Sequence, residues 1–264
     1  MVKNPREIES MRQAGRSVGR IRDELSRAVA PGVTTRDLDD LARELIGKAG
    51  GTSPFYQYRQ RGKPAFPGHI CASVNEEVVH GIGSGRRLQY GDIVKLDIGL
   101  KLNGWIGDTA ITIPVGVVSE EVQKLLEVTE RSLYAAVQVA RAGNQVGDIG
   151  HAVETVVRQA GFSVVRDFVG HGVGRTLHEE PQIPNYGNPR TGKKLKPGMT
   201  LAIEPMVNMG RPEVEELADQ WTVATVDRKP SAHFEHTVLV TEGQPEILTW
   251  SEAISSRWKA LSAA

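Results

Sequence analysis

The feature that most restricts how this chain can fold is that it repeats itself. Pro31-Gly32, Asp37-Leu38 and Lys48-Ala49-Gly50 are answered by Ala142-Gly143, Asp148-Ile149 and Gln159-Ala160-Gly161. Gly32, Asp37, Ala49 and Gly50 all stand the same distance ahead of their counterparts. His80-Gly81-Ile82-Gly83 is echoed by His171-Gly172-Val173-Gly174, and Gly91, six residues before Asp97, is matched by Gly198, six before Glu204. Recurrence in one order points to two related halves, about 1–118 and 119–250, that acquired different loops. A duplicated unit constrains the fold and the site together.

Each half begins with two helical patterns. Asn4, Pro5 and Glu7 read as a helix start, with a helix to about Ala30 stopped by Pro31-Gly32, and a second from Thr35 to Ala49. Ser119 before Glu120-Glu121 opens a third to about Arg141, and a fourth runs from Gly147 to Ala160. β-rich runs follow: 70–74, 93–100 and 105–113 in the first half, then 199–203, 221–226 and 234–240. Helices grouped ahead of strands predict an α+β fold, with two antiparallel half-sheets forming one curved surface backed by helices. No linker or low-complexity tract divides the 264 residues, so one catalytic domain, 1–264, is expected.

Composition narrows the partners. Acids and bases balance at 32 each, which gives no footprint for a nucleic-acid backbone or an anionic membrane. The single cysteine, Cys71, forbids an internal disulfide and a cysteine-based zinc cage, and fits a reducing compartment. No apolar stretch follows Met1-Val2-Lys3-Asn4-Pro5-Arg6-Glu7, and no run of about 18 apolar residues occurs. A cytoplasmic protein that does not span a membrane is expected.

The chemistry lies in acids placed inside apolar strands. Asn103-Gly104 tolerates the positive φ of a type I′ turn, so Leu102 should face Trp105 and Asp97 should face Ala110. Asp97 and Asp108 then share one face as diagonal neighbours, roughly 7 to 8 Å apart at the backbone. Glu204 repeats the placement of Asp97, and Glu235 interrupts another strand, facing away from His236. A single acid of this kind would read as a solvated strand end; four in apolar strands, two of them related by the repeat, do not. Protonation could relieve such a cluster, but four carboxylates and an imidazole match a divalent-ion site better. An oxygen-rich set with one nitrogen suits manganese, iron, cobalt or zinc, and the number of acids suggests two bridged ions.

His171, between glycines that allow close backbone approach and an unusual turn, is the expected imidazole ligand. His80, its repeat mate, and His178 are candidates to border the same cavity without binding metal. His69, His151, His233 and His236 keep the reading of hydrogen-bonded structural residues. The glycine-rich stretch lacks the Gly-Lys-Ser/Thr of a phosphate loop, so a nucleotide site is not expected.

From about Glu7 to Leu248 the chain resembles the type I methionine aminopeptidases, which share the pita-bread fold. The most specific match is the stretch from Phe168-Val169-Gly170-His171-Gly172 through Leu177-His178-Glu179-Glu180-Pro181 to Tyr186. Cys71-Ala72-Ser73-Val74-Asn75-Glu76-Glu77-Val78-Val79-His80-Gly81 and Gly107-Asp108-Thr109 fit as well. The resemblance implies two divalent ions held by Asp97, Asp108, His171, Glu204 and Glu235, with Asp108 and Glu235 bridging. It implies attack on the first peptide bond by a hydroxide between the metals, with Glu204 as proton shuttle. His178 would polarise the carbonyl, His80 would bond near the scissile amide, and the free amine of the substrate would coordinate a metal. Phe66, Cys71, Leu177 and Trp221 would line an apolar slot for methionine, although core packing explains Cys71 and Trp221 equally well. The implied substrates are N-terminal methionine peptides and nascent chains; a monomer is expected, with the ribosome a further candidate partner. Small second residues should be preferred.

Three departures bear on the pocket: Gly83 where proline is usual, the stretch Tyr56 to Ala65 with Arg59, Arg61 and Lys63, and Leu177 where an aromatic residue is common. Rival readings are a proline-directed peptidase of the same fold, a binding module that has lost catalysis, and a metal-free hydrolase. The first generally carries an additional N-terminal domain, and the others are disfavoured by the full set of acids.

Overall fold

The computed structural model describes residues 2–252; Met1 and residues 253–264, which the expected domain includes, lie outside the described residues. The first half holds α1 (Pro5–Ala28), α2 (Thr35–Lys48), β1 (Cys71–Val74), β2 (Glu77–Val79), β3 (Ile93–Leu102) and β4 (Trp105–Pro114). The second opens with α3 (Glu120–Val139) and α4 (Val146–Gln159), then β5 (Ser163–Val164), β6 (Gly170–Gly172), β7 (Glu179–Ile183) and β8 (Thr200–Ile203). It closes with β9 (Met206–Asn208), β10 (Val214–Glu216), β11 (Val223–Thr225), β12 (Ser231–His233), β13 (Glu235–Leu239) and β14 (Glu246–Ile247).

The helices start where local chemistry satisfies their free N–H groups. Asn4 Oδ1 accepts from the backbone of Arg6 at 3.0 Å and Glu7 at 3.1 Å, while the Glu7 carboxylate accepts from Asn4 N–H at 3.0 Å. Thr34 and Asp37 form the same reciprocal pair before α2. The hairpin of β3 and β4 turns at Asn103 (φ 51°) and Gly104 (φ 81°), pairing Leu102 with Trp105 and Asp97 with Ala110. Two positive φ values are what a right-twisted two-residue hairpin demands.

The largest sheet runs β1-β3-β4-β13-β8-β6-β7, with β14 on β13. Its centre is the pair β4 and β13, one from each half. The order outward is the same on both sides, so the sequence repeat becomes an approximate twofold of the sheet, as the pita-bread class requires. Leu96, Ile98 and Leu100 of β3 join Val18, Ile21 and Leu25 of α1 in the main core. Thr109 of β4 faces the same way and meets the buried Arg22 of α1 at 3.0 Å. The alternate residues, Asp97 and Asp108, look to the opposite side.

Several short strands had no counterpart in the sequence pattern. Segments of two to five residues, such as β5, β9, β12 and β14, carry too little alternation to announce themselves and form only when a partner edge is supplied. The expected turn around His171 is one of these: Gly170–Gly172 is a strand, with its register shifted between His171 and Gly172.

α1 presses closely on the sheet. A Cβ at Gly107 of β4 would stand 2.9 Å from the backbone of Ala14 and of Gly15. Gly107→Ala should therefore lower unfolding stability by about 1–3 kcal/mol through overpacking. Urea denaturation midpoints check this, and an unchanged midpoint would refute the seating of α1.

Candidate metal centre

Strand pairing builds the site one row at a time. Asp97 pairs with Ala110, and Ala110 pairs in turn with Glu235, so the two acids flank one alanine across three strands. Asp108 lies two residues before Ala110 and so shares its face. Glu204 follows β8, and His171 in the middle of β6 pairs with Ala202 of β8. The five residues, drawn from both halves, line one cavity of about 500 Å³.

Asp108, His171 and Glu235 each present a ligand atom within 4.8 Å of the others. His171 Nε2 is 3.4 Å from Glu204 Oε1 and 3.9 Å from Asp108 Oδ2. The opposite nitrogen, Nδ1, lies 2.9 Å from the carbonyl of Gly172. A carbonyl can only accept, so Nδ1 carries the proton and Nε2 turns its lone pair to the acids. The flanking glycines make this approach feasible: a Cβ at Gly170 would meet Ala202 O at 2.4 Å, and one at Gly172 would meet Glu180 O at 2.3 Å.

Burial dominates the electrostatics. It pushes Asp97 up to about 7 and Glu204 up to about 8. Asp108 and Glu235 rise well above the usual carboxylate range, first by burial and then by the neighbouring acids. Burial likewise drives His171 down to about 4, which keeps the ring neutral. Among the described residues no lysine or arginine forms an ion pair with any of the four acids, and Asp108 Oδ1 and Glu235 Oε1 have no hydrogen-bond partner. Unpartnered carboxylate oxygens beside an imidazole lone pair form a donor set that fits hard or borderline divalent cations.

The wall of the cavity is apolar. Phe66, Cys71, Leu177 and Trp221 line it together with His80 and His178. The rings of Phe66 and Trp221 meet edge to face at 5.3 Å, and the Trp221 indole N–H donates to Pro64 O at 3.1 Å. Cys71 is buried, and its thiol is pushed up by that burial. His80, at φ 60°, packs its ring 5.5 Å from Phe168 and is driven down to about 4 by burial. His178 stands at the exposed mouth, 4.4 Å from the His171 ring, its pKa lowered by partial burial.

One histidine must be reassigned. His69 stacks on Tyr56, His151 lies beside Thr155 in α4, and His236 faces the helix side with Nδ1 2.8 Å from Thr249 Oγ1. His233, expected to be structural, instead has Nε2 3.6 Å from Glu204 Oε2, and neither ring nitrogen has a hydrogen-bond partner. The signal was present in the alternation that separates His236 from Glu235, because 233 and 235 have the same parity. It was obscured by Phe234, where the chain passes from the sheet of β12 to that of β13. Phe55, Phe168 and Met206 also line the cavity without having been anticipated, as does Tyr58, of which only the surrounding stretch Tyr56 to Ala65 had been tied to the pocket. Single aromatic or sulfur side chains carry no spacing that distinguishes a wall from a core.

Comparison with known proteins agrees with this geometry. The model of Metallopeptidase family M24 matches residues 9–242. The chain is 53% identical over 247 residues to Methionine aminopeptidase 1 of Bacillus subtilis, covering 94% of this chain and 98% of that one. The crystal structure of methionine aminopeptidase from Thermotoga maritima superposes with a TM-score of 0.91 at 44% identity, covering 95% of this chain and 99% of that one. A prolidase from Pyrococcus furiosus shares the fold alone, at a TM-score of 0.76 and 23% identity, covering 95% of this chain and 66% of its own. This chain belongs to metallopeptidase family M24, in its methionine aminopeptidase group.

Proposed function

We propose that this chain, working as one catalytic domain, is a metal-dependent aminopeptidase that removes the N-terminal methionine from peptides and nascent proteins. The observation that carries this reading is the cluster of acids, without a lysine or arginine partner among the described residues, opening onto an apolar pocket. Asp97, Asp108, His171, Glu204 and Glu235 would hold two divalent ions of the manganese, iron, cobalt or zinc class. Bound there, such ions supply Lewis acidity, polarising the peptide carbonyl and making a nucleophile of water at neutral pH.

The protein's own groups do the rest. Phe66, Cys71, Leu177 and Trp221 accept a long unbranched side chain and exclude water from it. Glu204, at the edge of the acid cluster, would take and return the proton as the peptide bond breaks. His178 donates to the carbonyl oxygen as it gains charge, and neutral His80 bonds at the scissile amide. The chain has one cysteine, and no helix of the described residues is long and apolar enough to cross a membrane. The single cysteine fits a reducing compartment, and the setting we infer is a cytoplasmic monomer acting on chains as they leave the ribosome.

Asp108→Asn and His171→Ala should abolish release of methionine from a Met-Ala-Ser peptide, and His178→Ala should lower kcat by about 10²–10³-fold. Undiminished turnover in folded, metal-loaded variants would refute the roles assigned. Met-Ala peptides should be cut faster than Met-Trp peptides, and X-Pro peptides hardly at all; equal rates would point to the prolidase-like reading.

Metal loading should also expel protons. Asp97, raised to about 7, and Glu204, raised to about 8, remain largely protonated at pH 6.5 in the metal-free protein, burial and the neighbouring acids raise Asp108 and Glu235 as well, and all four bind ions as carboxylates, whereas the already neutral His171 loses nothing. Calorimetry at pH 6.5 in buffers of different ionisation enthalpy should show about two or more protons released per chain, and fewer above pH 8. A count of zero would mean that the acids are ionised without metal.

A further inference from the structure

An imidazole at the mouth of a cavity can swing about its side chain and adopt either neutral tautomer unless something holds it. His178 is held. Its Nδ1 lies 3.0 Å from the hydroxyl of Tyr58, which belongs to the 56–65 stretch.

That stretch is itself braced. Tyr58 N–H donates to Phe55 O at 2.8 Å, Phe66 N–H to Tyr58 O at 2.9 Å and Gln57 N–H to Phe66 O at 2.9 Å. Lys63 pairs with Glu216 and lies 5.2 Å from the centre of the Trp221 ring, whose indole bonds back to Pro64. The Tyr58 ring meets His178 edge-on at 5.6 Å and Trp221 at 6.5 Å. The phenol is therefore fixed by groups that also wall the pocket.

We propose that Tyr58 is a positioning residue for His178: its hydroxyl donates to Nδ1, fixing the Nε2–H tautomer and leaving that N–H for the carbonyl oxygen of the substrate. A neutral imidazole accepts at one nitrogen and donates at the other, so the bond at Nδ1 decides what Nε2 can offer. A phenol is a better donor than acceptor, which selects the tautomer that a developing oxyanion needs. The inference rests on the role given to His178 under Proposed function.

Tyr58→Phe removes only the hydroxyl and keeps the ring contacts. With the zinc-loaded enzyme and a Met-Ala-Ser peptide, kcat should fall about tenfold, the worth of one hydrogen bond, with KM changed less than about twofold. Long-range ¹H–¹⁵N spectra of the same zinc-loaded protein, with the His178 signals assigned through His178→Ala, should show a pure Nε2–H tautomer in the parent and a mixture in Tyr58→Phe. A merely structural tyrosine would leave the tautomer unmoved. Unchanged kcat in Tyr58→Phe, or an unchanged His178 tautomer, overturns the proposal. If His178→Ala is inactive while Tyr58→Phe is not impaired, only the role of Tyr58 fails; if His178→Ala retains full turnover, the roles of both residues fail.

Discussion

Four carboxylates lining one cavity, Asp108 and Glu235 buried and Asp97 and Glu204 half-buried, with no lysine or arginine paired to them among the described residues, set the terms for the rest of this protein. At an effective dielectric of about 20, two such charges about 4 Å apart repel by about 4 kcal/mol, and here the repulsion is shared among four. The group can persist only with its charge relieved, by protonation or by cations, and the scaffold must keep it from springing apart. It does so through the central strands. Asp108 N–H donates to Thr237 Oγ1 at 3.0 Å, the same hydroxyl donates to Asp108 O at 2.8 Å, and Thr109 Oγ1 donates to Glu235 O at 2.9 Å. These bonds clamp the two halves of the molecule where the charge is densest.

A buried lysine on the same face does not relieve the repulsion. Lys95 shares the face of Asp97 on β3, yet its ammonium donates to the carbonyls of Asn75 at 2.6 Å and Ser231 at 2.9 Å. It anchors the neighbouring row of the sheet, where Thr112 Oγ1 donates to His233 O at 2.7 Å and so sets the backbone of His233, whose ring lies beside Glu204. On the opposite face the close seating of α1 and the buried Arg22 stiffen the sheet. Preorganisation of this kind keeps the side chains of the cavity aligned in advance.

Much of this was legible in the residues. Asn103-Gly104 alone set the hairpin register, and period-two alternation carried it to Asp97 and Asp108. The repeat then led from Asp97 to Glu204. Glu235 was readable as an acid out of place in an apolar strand, and the glycines beside His171 as a sign of close packing, though for the wrong local structure. His233 and Tyr58 were not found. The first sits at a change of sheet, where parity along one strand no longer says which surface a residue faces. The second lies in a loop, where no periodicity relates sequence position to direction.

By itself, then, the sequence determined the helix boundaries, the long hairpin, the duplicated α+β plan and the identity of the acids, because each follows from interactions between residues near in the chain or repeated along it. Only the tertiary structure decided that β4 and β13 meet at the centre, that a three-residue strand carries His171 against β8, and that Tyr58 and His233 reach His178 and Glu204. Those contacts join segments far apart in sequence, and short-range propensity and alternation contain no term for which distant edges will pair.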